Sequence, residues 1–335
     1  MLCVVDNYPV VRGNILNCLL VYNASHTISA DPATVIREAL SKVLAYYFPF
    51  AGWLRNKEDG ELEVDCTGEG ALFFEAMADD NLSVLGDFDY HNPAFGKLLY
   101  SLTLNTPIHD LHLLVVQVTR FTCGGFVVGL SLDHTICDGR GAGQFFKAFA
   151  DMARGEVKPS LEPIWNRELL KPEDLICLQF YYFESMHPPP IVEETVQSSI
   201  IVNAETISNM KQYIMEECKE SCSTFDVIAG LVWLARTKDF HVPYMENVMV
   251  IFAVDTRRSF DPPLPKGYYG NVIGNACASD NVQDLLNGSL LRATMIIKKS
   301  KVCLKENIRA TTTTRPSAVG VNVKPENIVA LSDLR

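Results

Sequence analysis

Ser131-Leu132-Asp133-His134-Thr135-Ile136-Cys137-Asp138-Gly139 sits where the chain changes rhythm. Before it, residues 113–121 and 126–132 are runs rich in β-branched and other apolar side chains, joined by Thr122-Cys123-Gly124-Gly125, and they read as a buried hairpin. After it, residues 141–152 place Phe145, Phe146 and Phe149 at helical spacing. The nonapeptide therefore reads as a strand end, a Gly-containing turn and a helix start, the unit from which mixed α/β layers are built.

Working outward, Asp31-Pro32 is a helix start, with Asp as cap and Pro in the first turn. Val35, Ile36, Ala39, Leu40, Val43, Leu44 and Tyr47 continue it to Pro49. Residues 62–66 and 71–76 read as short strands, and residues 81–106 as loop. Residues 1–30 read as a loop-like start. Beyond Lys158, the prolines at 159, 163, 172 and 188–190 mark a crossover or linker. Residues 196–202 then read as a strand, 204–220 as a helix, and Ser223-Thr224-Phe225-Asp226 as a capping box opening a helix to 235. A strand over 248–254 and one or two helices over 282–308 follow, and the end, residues 310–335, shows no strong period. The expected organisation is an N-terminal domain over 1–158, a linker over 159–192 and a C-terminal domain over 193–335, both domains α/β with mixed sheets.

A chain of 335 residues with 48% apolar and 21% charged residues has the length and composition of a two-domain globular protein. Its net charge of -11 argues against whole-surface attraction to nucleic acid or anionic lipid. The most apolar stretch, 111–132, is interrupted by Gln117, Arg120 and Cys123-Gly124-Gly125, so no membrane span is expected. Asp6 and Pro9 stand where a secretory signal would need a basic start and a longer apolar run. The ten cysteines show no C-x-x-C and no zinc spacing, so no metal site is expected and free thiols in the cytoplasm fit best.

His134 is the residue that carries chemistry. An imidazole at a strand end is rigidly held and exchanges protons near neutral pH, so it could activate an alcohol, amine or thiol. A buried, satisfied histidine beside a turn-forming Asp138-Gly139 is the commoner meaning of that spacing taken alone. Gly129-Leu-Ser131-Leu-Asp133 also comes near the serine-hydrolase nucleophile elbow, but it lacks the second glycine and places Ser131 inside the strand.

Several further blocks decide between these readings. Tyr46-Tyr47-Phe48-Pro49-Phe50-Ala51-Gly52, Val116 to Phe121, Gly124 to Gly129, Asp138-Gly139 with Gly143-Gln144-Phe145, and Pro263 to Asn271 stand in one order along nearly the whole chain. In these, and in His134-x-x-x-Asp138-Gly139, the chain resembles the plant BAHD acyl-CoA-dependent acyltransferases. Thr119-Arg120-Phe121-Thr122-Cys123-Gly124-Gly125-Phe126, Glu162 to Glu168 and Asp284 to Leu291 are similar to the taxane O-acyltransferase group of that family.

The resemblance implies two chloramphenicol-acetyltransferase-like domains with mixed β-sheets and flanking helices. It implies transfer of an acetyl or benzoyl group to a taxane hydroxyl, with His134 as general base. Asp138 and Gly139 would be structural, Asp138 pairing with Arg257 of Asp255-Thr256-Arg257. Asn271, Ser223 and Thr224 would lie near the substrate or coenzyme channel. No permanently bound cofactor is implied: acetyl-CoA or benzoyl-CoA is a cosubstrate, and a taxane alcohol is the acceptor of a cytoplasmic monomer without nucleic-acid or membrane partners. The family's D-F-G-W-G signature is absent and its usual opening segment is missing, so the resemblance is to a member truncated at both ends, with the second domain incomplete. The alternative is a catalytically inactive truncated fragment or a binding-only homologue.

Overall fold

The hairpin expected around residues 122–125 forms the middle of a four-stranded sheet in a computed structural model that describes residues 2, 5–7, 11–24, 30–90, 92–100, 112–170, 197–309 and 323–332. The chain divides into two compact units, Met1–Leu170 with Pro265–Asn271, and Lys171–Leu264 with Val272–Arg335.

In the first unit, β1 (Ile15–Tyr22) is followed by helix α1 (Pro32–Leu44) and a small hairpin of β2 (Trp53–Asn56) and β3 (Leu62–Asp65). Then come β4 (Leu72–Ala78), β5 (Leu114–Phe121), β6 (Phe126–Asp133) and helix α2 (Gly139–Ala153). The main sheet has the order β1-β6-β5-β4, with β6 antiparallel to both neighbours and β4 parallel to β5. Strands β5 and β6 are buried along almost their whole length, as central strands covered on both faces must be. That is why they read as continuous apolar runs.

Helices α1 and α2 share one core with this sheet. Ala39, Leu40 and Val43 of α1 and Phe145, Ala148, Phe149 and Met152 of α2 are buried with Leu114, Val116, Val118, Leu130 and Leu132. The start of α1 is fixed twice by one side chain. Asp31 accepts from the Thr34 amide at 2.9 Å and takes both arms of Arg120, on β5, at 2.8 and 2.9 Å. Those bonds, the Arg120 ones first, hold the Asp31 carboxyl well below the usual carboxylate range.

An aromatic cluster draws two later segments into this unit. Tyr47 meets Phe145, Tyr269 and Trp165 edge-on, with ring centres 5.2, 5.0 and 6.1 Å away. The Ile164 amide donates to Gly267 O and the Tyr269 amide to Ile164 O, each at 2.9 Å. Residues 159–170, expected in the linker, and 265–271, expected in the C-terminal domain, therefore pack here.

The second unit contains α3 (Ala204–Cys218), α4 (Thr224–Asp239), β7 (Asn247–Asp255), β8 (Ile273–Asn281), α5 (Val282–Arg309, broken at Ser289) and β9 (Ile328–Leu331). Its sheet has the order β8-β7-β9, with β7 antiparallel to β8 and parallel to β9. Both sheets are thus mixed. The strand expected over 196–202 does not form over 197–202, which are mostly exposed and join no sheet. Residue 196 and the expected linker from 171 to 192 lie outside the described residues. No helix among the described residues is long and apolar enough to cross a membrane.

Gly129, in the middle of β6, permits a close crossing. A Cβ there would stand 2.0 Å from Leu98 O, and the same crossing segment is tied to β5 by the Gln117 amide donating to Lys97 O at 3.0 Å. Gly129→Ala should cost about 1–3 kcal/mol through overpacking. Urea unfolding checks this, and an unchanged midpoint would contradict the crossing.

Candidate active site

His134 is the first residue beyond β6. The ladder that pairs Ile15 with Asp133 is extended by one rung, the His134 amide donating to Asn14 O at 2.8 Å. The His134 carbonyl accepts from Asn271 Nδ2 at 2.9 Å. Both backbone groups of the histidine are therefore held from outside its own strand. The side chain is half-buried, and its Nδ1 is enclosed with no hydrogen-bond partner among the described residues. The ring is thus oriented by its backbone and surroundings, with no carboxylate on Nδ1. Such an imidazole can accept and return a proton on its other nitrogen.

The flanking carboxylates have different tasks. Asp133 is 1% exposed, and its Oδ1 accepts from the Thr135 amide at 2.8 Å while Oδ2 is buried with no hydrogen-bond partner among the described residues. Burial pushes the Asp133 carboxyl up, more than the Thr135 bonds lower it. Asp138 is the N-cap of α2, its Oδ1 accepting from the Gly141 amide at 2.8 Å. The helix begins at Gly139, exposed in its first position, two residues before the expected start at 141. The turn also needs Gly141, where a Cβ would meet Cys137 Cβ at 2.6 Å.

Asn271 belongs to the first unit and is fully buried. Its Nδ2 faces three acceptors: Asp6 Oδ1 at 2.9 Å, His134 O at 2.9 Å and Thr135 O at 3.3 Å. This amide, expected near the channel, is hydrogen-bonded to the backbone that carries His134. No local pattern in the sequence marks Asp6 as its companion, or Asn14 as the acceptor of the His134 amide.

The second unit holds the remaining expected residues. Ser223 caps α4 through a reciprocal box: its Oγ accepts from the Asp226 amide at 3.2 Å, and Asp226 Oδ2 accepts from the Ser223 amide at 2.8 Å. The Ser223 hydroxyl also donates to Asp226 Oδ2 at 2.7 Å, and Lys301 pairs with Asp226 Oδ1. Thr224 is the first residue of α4. Arg257 Nη1 donates to Asp255 Oδ1 at 3.0 Å.

Two other features lie apart from the histidine. Ser131 is inside β6 and donates its hydroxyl to Asn17 Oδ1 at 2.7 Å, which is not the exposed turn position of a nucleophile elbow. A mainly apolar cavity of about 430 Å³, lined by Tyr22, Ile36, Phe126 and Phe149 among others, opens at the opposite end of β6. Eight strand residues separate that end from His134, roughly 25 Å of extended chain.

Residues 1–322 match the family model described as Transferase family. Over 332 residues the chain is 61% identical to taxadien-5-alpha-ol O-acetyltransferase of Taxus chinensis, spanning 98% of this chain and 76% of that protein. It is 62% identical over 335 residues to 3'-N-debenzoyl-2'-deoxytaxol N-benzoyltransferase of Taxus canadensis, spanning 100% and 76%. It is 59% identical over 326 residues to 2-alpha-hydroxytaxane 2-O-benzoyltransferase of Taxus cuspidata, spanning 97% and 74%. The crystal structure of vinorine synthase shares its fold, with a TM-score of 0.63 at 20% identity over 95% of this chain and 75% of that one.

The raised Asp133 carboxyl gives a pH test. A carboxyl whose folded pKa lies above its unfolded value favours the fold below the unfolded pKa, and that contribution is lost as pH rises through the folded pKa. Asp133→Asn keeps the acceptor for Thr135 and removes the buried charge. Its melting temperature should exceed that of the unaltered protein at pH 8, with the gap closing as pH falls into the ordinary carboxylate range. A gap independent of pH would refute the assignment.

Proposed function

Because the chain belongs to the Transferase family, the BAHD acyl-CoA-dependent acyltransferases, it is an acyltransferase, and we propose that it moves an acetyl or benzoyl group from coenzyme A to a taxane hydroxyl. The observation that carries the mechanism is His134 at the end of β6, with both backbone groups fixed and, among the described residues, no carboxylate hydrogen-bonded to Nδ1. As the acceptor oxygen attacks the thioester carbonyl, His134 takes its proton and the new C–O bond forms. The tetrahedral intermediate then expels the coenzyme A thiolate, which takes the proton back from the imidazolium. Acyl group and proton are both accounted for without a covalent enzyme intermediate, since one base and a positioned donor make the step effectively intramolecular.

The acceptor class is supported by the identities of 59–62% to three Taxus enzymes named for taxane substrates. An amine acceptor is the second reading, favoured by the N-benzoyltransferase among them at 62% identity. Asp138 and Gly139 serve the same reaction by starting α2 directly after the base-bearing turn. Working in the reducing cytosol fits eight free cysteines among the described residues.

Purified protein incubated with labelled acetyl-CoA or benzoyl-CoA and a panel of taxane alcohols and amines tests this reading. The expected result is a taxane ester formed in step with coenzyme A release. Release without acylated acceptor, or no consumption of either thioester, would overturn it, and an amide product would favour the second reading. His134→Ala should lower turnover at least about a hundredfold, the lower range of what a positioned general base contributes. Near-normal turnover of a folded variant would remove His134 from the mechanism.

A further inference from the structure

We propose that Asp6, Arg167 and Asn271 form one positioning device for His134, acting on the backbone of residues 134–136 and not on the imidazole; the inference rests on the reading of His134 as the base. Asp6 is fully buried. Its Oδ2 accepts from Arg167 Nη1 at 2.6 Å, and its Oδ1 accepts from Asn271 Nδ2 at 2.9 Å and from the Asn271 amide at 3.3 Å. The two donors thus gathered on one carboxylate reach on to the turn. Asn271 Nδ2 donates to the carbonyls of His134 and Thr135, and Arg167 Nη2 donates to Ile136 O at 2.9 Å. Three consecutive carbonyls of the base-bearing turn are therefore held by two side chains that share one anion.

Each member of the device is placed by separate means. Asp6 lies in a short turn, Val5–Asn7, locked onto β3 because the Leu62 amide donates to Asn7 Oδ1 at 2.6 Å and Asn7 Nδ2 donates to Leu62 O at 3.3 Å. Arg167 lies 6.0 Å from the Trp165 ring. Gly270 has a φ of +154°, and a Cβ there would stand 2.1 Å from Arg167 Nη1, so only glycine leaves room for the guanidinium.

A buried Arg–Asp pair is not an economical source of stability, since apolar residues of similar volume often do as well or better. What it does supply is geometry. The guanidinium fork and the amide have fixed shapes, so the turn has one arrangement and His134 one direction of approach. A misplacement of about 1 Å at a reacting group can cost on the order of a hundredfold in rate. Asp6, Arg167 and Asn271 would thus affect the chemical step while leaving substrate affinity largely alone.

The test compares Asn271→Ala, Gly270→Ala and the double change Asp6→Asn with Arg167→Gln against the unaltered protein and His134→Ala. The double change replaces the ion pair with neutral amides and leaves no buried charge unpaired, so it serves where Asn271→Ala does not fold. In folded variants, kcat per mole should fall about thirtyfold or more, while KM for acyl-CoA and for acceptor stays within about threefold. A role in stability alone would lower the melting temperature and leave kcat of the folded fraction unchanged, and that result overturns the inference. So does a rise in KM at constant kcat. If His134→Ala itself keeps its turnover, it is the reading of the base that has failed. If His134→Ala is inactive while the three other proteins keep normal kcat, the failure belongs to the positioning device alone.

Discussion

The first unit's site depends on β6 being paired along its full length on both sides. Eight residues of β1 and seven of β5 hold it, and the outer ladder runs one residue further, to the amide of His134. A strand clamped in this way cannot slip, because a shift of one residue would turn every buried side chain to the other face. The two apolar faces are then covered, α1 and α2 join the core, and α2 starts five residues past the histidine with Asp138 as its cap.

The manner in which His134 is held also shapes the chemistry. In many sites a carboxylate orients the catalytic imidazole through Nδ1. Here Nδ1 has no hydrogen-bond partner among the described residues, Asp133 accepts from the Thr135 amide, and Asp138 caps a helix. Fixing the backbone sets where the ring stands without a hydrogen-bonded carboxylate on Nδ1 among the described residues. That arrangement suits a direct transfer in which the imidazole takes up a proton and returns it within one turnover.

What was legible in the sequence was local. Asp31-Pro32, the Thr122 to Gly125 turn and the Ser223/Asp226 capping box each specify an element through contacts within a few residues, and each was found near its place. β1, β8 and β9 were not, because they are strands by virtue of their neighbours. β8 contains Gly274, Asn275, Ser279 and Asp280, poor strand formers that are held in register by nine pairs with β7. The site divides in the same way. His134 and its turn could be read from a motif, whereas Asp6 lies in a stretch without period and meets Arg167 and Asn271 from 161 and 265 positions away. Asn271 could be singled out, but its partners could not, so its tie to the backbone of His134 was not legible.

The most direct measurement is the pH dependence of kcat/KM for acyl transfer, taken on the unaltered protein and on Asp138→Asn. A base held through its backbone should give the same midpoint for the ascending limb in both proteins, even if the variant is less stable. A carboxylate paired with the imidazole would favour its charged form, so its removal would move that midpoint down by about one unit or more. A downward move would contradict the account.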